Sequence, residues 1–360
     1  MLERFKTPEK DRVRVTDNSL RHTITSIFEK MGETHEDALI AAEVLVSAEL
    51  RGIETHGVSM VANYIRQYKE GLLCPNPDWK IVRETPGTAT IDAGLGLAVF
   101  LGQKAMMMAI EKAKKVGVGV IAIGNSGHSG PIGHHALLAA KKDMIGIVMT
   151  ACPLLVVPTF GADPRMGTNP IAFSAPSRNE APFLFDAATS MIAGQKRDLA
   201  SRAQSDLLPY WFAEKDGTPI THEMPPPARD KFLLPLGGVR ESGSHKGYGF
   251  AMMPEILGML LSGGRPNMLT GDKNHAHHFT AYNVEAFTDL EIFKDGMDDV
   301  LRTLRTTKPA PGHNRVLYAG LAEYEEEKER KRNGVPLHLE IVQWFEHISD
   351  QLSVPGLDRV

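Results

Sequence analysis

Apolar positions along the chain follow helical spacing in some stretches and strand-like runs in others. Residues 18–31 (NSLRHTITSIFEKM) and 34–51 (THEDALIAAEVLVSAELR) repeat them every three to four positions and predict two amphipathic helices. The second opens with Thr34 and Asp37 at capping-box spacing and closes on Gly52, where a helix end favours glycine. Beyond Gly57, helical spacing resumes at Val58, Val61, Ala62, Ile65 and Tyr68, so Thr55-His56-Gly57 lies at or just before another helix N-terminus. Residues 80–93 read as two short strands around a Pro-Gly turn. A helix is expected over 101–116, with Met106, Met107 and Met108 as core filler. Strand 118–123, helix 131–143 and strand 145–151 form a βαβ-like unit, which predicts a partly parallel sheet. Short strands follow at 171–175, 183–186 and 278–284, a long apolar helix starts at Lys246, and an amphipathic helix spans 290–306. Residues 195–245 are polar and irregular, and 322–333 make a charged helix with a solvated face.

The stretch GVGVIAIGNSGHSGPIGHH (117–135) stands out within this pattern. A buried strand runs into a turn of Gly, Asn and Ser carrying His128, and a helix restarts after Pro131. Glycines let a ligand approach the backbone, and the first turn of a helix disfavours an imidazolium, so His128 suits a proton acceptor; the bland alternative is a loop histidine that caps a helix. His56 has a similar setting. Asp186 closes the strand FLFD beside Ala187 and Ala188, a usual ligand position in open α/β sheets, with helix capping as the competing role. Lys246 stands at a helix entrance, where a cation opposes the helix dipole and hints at a phosphate, although an exposed lysine is the simple alternative.

Composition narrows the class. The 360 residues allow two or more lobes, and no apolar run is long enough to cross a membrane. The segment MLERFKTPEKDR lacks the apolar core of a signal peptide, so a soluble cytoplasmic protein is expected. A net charge of −4 with mixed signs offers no basic face for nucleic acid. Cys74 and Cys152 are far apart, which argues against a disulfide framework or a cysteine zinc site. His275, His277 and His278 lack a nearby carboxylate and do not share one strand face, so no metal is expected. GLGLAVFLG (94–102) and GVGVIAIG (117–124) miss the third glycine of a dinucleotide fingerprint.

Eight segments in register, RGIETHG (51–57), GNSGHSG (124–130), VVPTFGA (156–162), GTNPIAF (167–173), FDAATS (185–190), DGTP (216–219), KGYGF (246–250) and PAPG (309–312), resemble the malate/L-lactate dehydrogenase family. That family also contains ureidoglycolate, sulfolactate and diketogulonate oxidoreductases and cyclic-imine reductases. The resemblance implies an α/β fold: a mixed sheet with helices, a non-Rossmann NAD(P)-binding fold of the sulfolactate dehydrogenase-like type. It implies an N-terminal helical part of a substrate and dimerisation domain at 1–78, an NAD(P)-binding domain at 79–285, and a C-terminal helical return at 286–360. It further implies NAD or NADP as cofactor, a small 2-hydroxy or 2-oxo acid as substrate, and a homodimer or larger homo-oligomer with active sites near the subunit interface. Carried onto this chain, His56 and His128 match the two active-site histidines. Asp186, Ala187, Ala188, Lys246 and Gly247 match cofactor-contacting positions, as do Cys152 and, in VLYAG, Gly320.

Four departures bear on the substrate. Thr55 replaces the usual serine, Ser129 follows His128 as in the ureidoglycolate branch, and Cys152 stands where a small polar residue is commoner. Met60 replaces an arginine suited to gripping a carboxylate. Backbone N–H groups of about residues 57–60 and the Thr55 hydroxyl are therefore expected to donate to the anionic end, with Arg51 as the nearest cation or simply a helix C-terminal arginine, and the outcome expected is either weak affinity for simple lactate-type or malate-type acids or a larger substrate with an apolar or amide portion that packs on Met60. The leading expectation is hydride transfer with His128 as general acid/base and His56 bonding the same oxygen or the carboxylate. The alternatives are a ketimine reductase acting on a cyclic imino acid, and a nucleotide-binding homologue that has lost catalysis.

Overall fold

The computed structural model describes residues 3–226 and 228–360. In chain order the first half comprises β1 (Arg12–Val15), α1 (Asp17–Met31), α2 (His35–Leu50), α3 (Val61–Lys69), β2 (Lys80–Glu84), β3 (Thr88–Asp92), α4 (Ala98–Val116), β4 (Val118–Ser126), α5 (Ile132–Ala140) and β5 (Met144–Ala151). The second half adds β6 (Ile171–Ala175), β7 (Phe183–Ala187), α6 (Lys196–Arg202), β8 (Phe212–Ala213), β9 (Phe232–Leu233), α7 (Ser244–Pro254), α8 (Asn267–Thr270), β10 (His275–Asn283), α9 (Leu290–Thr306), α10 (Leu321–Asn333), β11 (Val335–His338) and α11 (Leu339–Leu352). Local chemistry sets several of these boundaries. Thr16 and Thr34 accept the Ser19 and Asp37 N–H groups at the starts of α1 and α2, and Gly32 ends α1 with φ of +105°.

The seven strands expected between residues 80 and 284 form one mixed sheet of order β2-β3-β4-β10-β5-β6-β7. Helices α4 and α5 cover one face, and the π-helical continuation of α7, Glu255–Leu260, covers the other. Close approach of α4 depends on Gly119, where any Cβ would overlap the Ala109 carbonyl. The largest core lies where α1, α2, α4 and the sheet meet, around Phe28, Leu45, Phe100, Ile121 and Phe279. β1 pairs antiparallel with β11 and so ties the two ends of the chain together.

Five expectations are corrected. β4 and β5 are not neighbours: β10 lies between them, antiparallel to both, and the adjacent parallel pair is β3 and β4, joined by α4. The strand expected at 278–284 begins at His275 and is the central strand, so all three clustered histidines lie within it. α2 buries nearly its whole circumference because α1, α4 and α10 pack on it. Residues 195–245 contain α6 and the β8-β9 pair, which enclose a second core of Phe5, Leu199, Trp211, Phe212 and Leu233. The charged helix α10 also turns Arg330 inward, to Glu54 and Glu326.

Candidate active site

Sheet topology gathers much of the chemistry at one edge. β4 and β5 are both antiparallel to β10, and β7 runs the same way as β5 because β6 reverses between them. Their carboxyl ends therefore lie along a single edge, where open α/β sheets bind ligands. His128 follows β4, Cys152 follows β5, and Asp186 and Ala187 end β7. His275 begins β10 at the same edge, opposite Ser126. The turn between α2 and α3 brings Thr55 and His56 over it, and α3 brings Tyr64, since the His56 ring stacks on His128 with centroids 5.6 Å apart and planes 20° from parallel and the Tyr64 hydroxyl lies 2.7 Å from His128. His275 meets the His128 ring edge-on at 5.5 Å.

The hydrogen bonds give the two stacked rings different capacities. Nδ1 of His128 accepts the Gly130 N–H at 3.0 Å and lies 2.7 Å from the Tyr64 hydroxyl. A nitrogen that accepts a backbone N–H carries no proton, so Tyr64 donates to it and neutral His128 presents Nε2–H. Nδ1 of His56 has the Thr55 hydroxyl at 2.8 Å, which either donates or accepts, so its proton is free to sit on either nitrogen. His277 bonds Thr150 through Nδ1 at 2.9 Å and the Gly127 carbonyl through Nε2 at 3.0 Å, which braces the loop just before His128.

Both rings are neutral at pH 7, chiefly through burial. Burial holds His56 down to about 4. His128 is held well below the usual range by burial first and then by His275, His56 and His277. Burial, rather than the first turn of a helix, is the largest cause of the lowered His128 value.

A cleft of about 500 Å³ opens beside the stacked pair. Arg51, Thr55, His56, Asp186, Ala187, Ala188 and Gly320 all line it, together with Thr168 and Lys196. Its wall of Gly130, Pro131, Ala187, Ala188, Ala319 and Gly320 carries small side chains, which lets a flat ligand lie close to backbone. Asp186 accepts the Gly133 N–H at 2.7 Å and so caps α5, while burial raises its carboxyl to about 6. Four candidates are absent from its lining: His128, whose ring stacks on that of the lining His56, and three others. Lys246 is exposed on α7, Gly247 is packed under the Leu236 backbone, and Cys152 is buried with its thiol pushed up to about 12.

Two of the N–H groups expected to grip an anion at the α3 turn are already bonded. The Val58 N–H is taken by the Glu49 carboxyl at 2.9 Å, and the Met60 N–H by the Gly57 carbonyl. Arg51 faces the cleft but pairs with Glu327 at 3.0 Å. Met60 is buried in the main core and offers no surface for a substrate. Tyr64, Glu49 and Lys196 escaped the sequence reading, and His277 was considered there only as a metal ligand. Tyr64 lies one residue before Ile65 in the α3 pattern, a weak signal, and the other three act on positions distant in sequence.

With this geometry in hand, comparison with known proteins gives the class first. The chain is 37% identical over 352 residues to malate dehydrogenase of Pyrococcus abyssi, covering 96% of this chain and 97% of that protein. It superposes on the crystal structure of malate dehydrogenase from Entamoeba histolytica with a TM-score of 0.90, 35% identity and coverage of 96% and 99%. Sulfolactate dehydrogenase from Methanocaldococcus jannaschii gives 0.83, 34%, and 95% and 98%. These relatives are dehydrogenases, and the chain is an oxidoreductase acting on CH–OH groups. The malate/L-lactate dehydrogenase family profile matches residues 15–346, and the protein belongs to that family. Membership brings nicotinamide cofactor use with it. Among the described residues no helix is long and apolar enough to cross a membrane.

Proposed function

We propose that this protein interconverts a small 2-hydroxy acid and its 2-oxo acid with NAD or NADP, and that His56 and His128 divide the work at the substrate oxygen. The observation that carries the reading is the stacked imidazole pair, with unlike hydrogen bonds, beside a cleft lined by Asp186, Ala187 and Ala188. When bound, the nicotinamide accepts or returns the hydride of the carbinol carbon. During oxidation the hydroxyl proton passes to the free nitrogen of neutral His56, and Nε2–H of His128 donates to the same oxygen and stabilises its developing charge. This reverses the roles expected from sequence, because the Gly130 N–H fixes the His128 tautomer.

Glutamine variants separate the roles, since an amide retains a donor but does not exchange the proton. His56→Gln should lower kcat about 10²- to 10⁴-fold, with His128→Gln losing clearly less and cofactor binding preserved in both. The opposite order restores His128 as the acid/base. Assembly and location extend the same reading. The exposed apolar stripe of Phe250, Met253, Ile256, Leu260 and Leu261 supports a homodimer or larger homo-oligomer. Two free cysteines fit the cytoplasm. Residues 79–285 would serve as the cofactor unit, with 1–78 and 286–360 joined through the β1-β11 pair.

A further inference from the structure

Arg51 pairs with Glu327, the Thr55 hydroxyl bonds His56 and Lys246 is exposed outside the cleft, which directs attention to Lys196. It lies on the cleft wall with Thr55, His56 and Asp186, half-buried at the start of α6. Its ammonium stands 5.3 Å from the centre of the Phe5 ring. Phe5 is fully buried and tilted against Trp211 at 5.6 Å, so the ring is a fixed support. Among the described residues no carboxylate reaches ion-pair distance of this ammonium. The other cation of the cleft, Arg51, is bound to Glu327. Of the cleft carboxylates, Glu54 is committed to Arg330 at 2.9 Å, Asp186 accepts the Gly133 N–H, and Glu323 forms no ion pair with Lys196. Glu54 remains the acidic group whose field Lys196 feels, and partial desolvation outweighs it. A half-desolvated ammonium that rests on an aromatic face and has no ion-pair partner gains from an oxyanion that accepts its hydrogen bonds directly.

We propose that Lys196 is the residue that binds an oxyanion in this cleft, either a carboxylate of the substrate or a phosphate of the cofactor. The naming of these two sources rests on the dehydrogenase reading. The charge pairing itself does not. Oxalate serves as the carboxylate probe and inorganic pyrophosphate as the phosphate probe, each titrated by calorimetry into the full-length protein. Lys196→Met keeps the stem on Phe5 and should weaken one probe about ten- to hundredfold, with recovery in Lys196→Arg. The probe that weakens identifies the source. Equal binding of both probes to Lys196→Met and the unaltered protein, or no binding of either to the unaltered protein, overturns the proposal.

Acetic anhydride labelling of the unaltered protein, read by mass spectrometry, needs no variant. Saturating probe should protect Lys196 several-fold and leave the exposed Lys246 labelled. Full labelling of Lys196 under saturation overturns the proposal independently of any variant. If no 2-hydroxy acid is oxidised yet the probes still protect Lys196, the dehydrogenase reading fails and the anion site stands.

Discussion

Glu49 accepts the Val58 N–H through one buried oxygen, and its other oxygen has no partner. One side chain thereby fixes the turn that carries His56, and Gly57 is required beside it because a Cβ would overlap the carboxyl. Burial, followed by repulsion from Glu54, raises this carboxyl from 4.5 to about 8, against the pull of Arg330 and the Val58 N–H. Folded protein therefore holds a proton that the unfolded chain releases. That contribution to stability is complete below about pH 4.5 and is lost as pH rises through 8. Thermal melts of the unaltered protein should fall between pH 6.5 and 8.5 by a few kcal/mol at most, and Glu49→Gln, which keeps the acceptor, should fall less. Equal slopes would show that Glu49 does not titrate in that window. The histidine positions were legible from glycine-flanked turns. Glu49 was not, because linear spacing does not show a side chain reaching nine residues ahead to cap a different helix.

At the scale of elements, Asp186 serves two structures at once. It ends β7 and caps α5 through Gly133, so the competing role weighed from sequence is present, though on a helix some fifty residues earlier. Losing an N-terminal capping acceptor costs about 1 kcal/mol, and Asp186→Ala should lose about that in urea denaturation, with Asp186→Asn close to the unaltered protein. Cofactor affinity, measured separately by fluorescence, should fall in both variants if the carboxylate charge contacts the ligand. An affinity unchanged in Asp186→Asn would assign the residue to capping alone. Periodicity located all seven strands of the main sheet to within a few residues because each is an apolar run bounded by turn residues. Their order was not legible. A βαβ pattern specifies direction and handedness but leaves room for a later strand, here β10, to insert between its two strands.

For the whole molecule, that insertion aligns the ends of β4, β5 and β7 on one edge, and the α2-α3 turn sets His56 upon His128 there. Motif resemblance named both histidines and the Asp186 segment, and the folded chain sets His56 and Asp186 on the cleft with His128 stacked on His56. It placed Lys246 and Gly247 with the same ligand, whereas the folded chain sets both outside the cleft, and it passed over Lys196. The central claim is hydride transfer between a 2-hydroxy acid and a nicotinamide ring at this site. Its most direct test supplies a panel of C2-deuterated 2-hydroxy acids, malate and sulfolactate among them, with NAD or NADP, and follows deuterium by mass spectrometry. One deuterium in the reduced nicotinamide per 2-oxo acid formed, slowed in His56→Gln in proportion to turnover, is the expected result. Product formed without label in the cofactor, or label transfer unaffected by His56→Gln and His128→Gln alike, would contradict it.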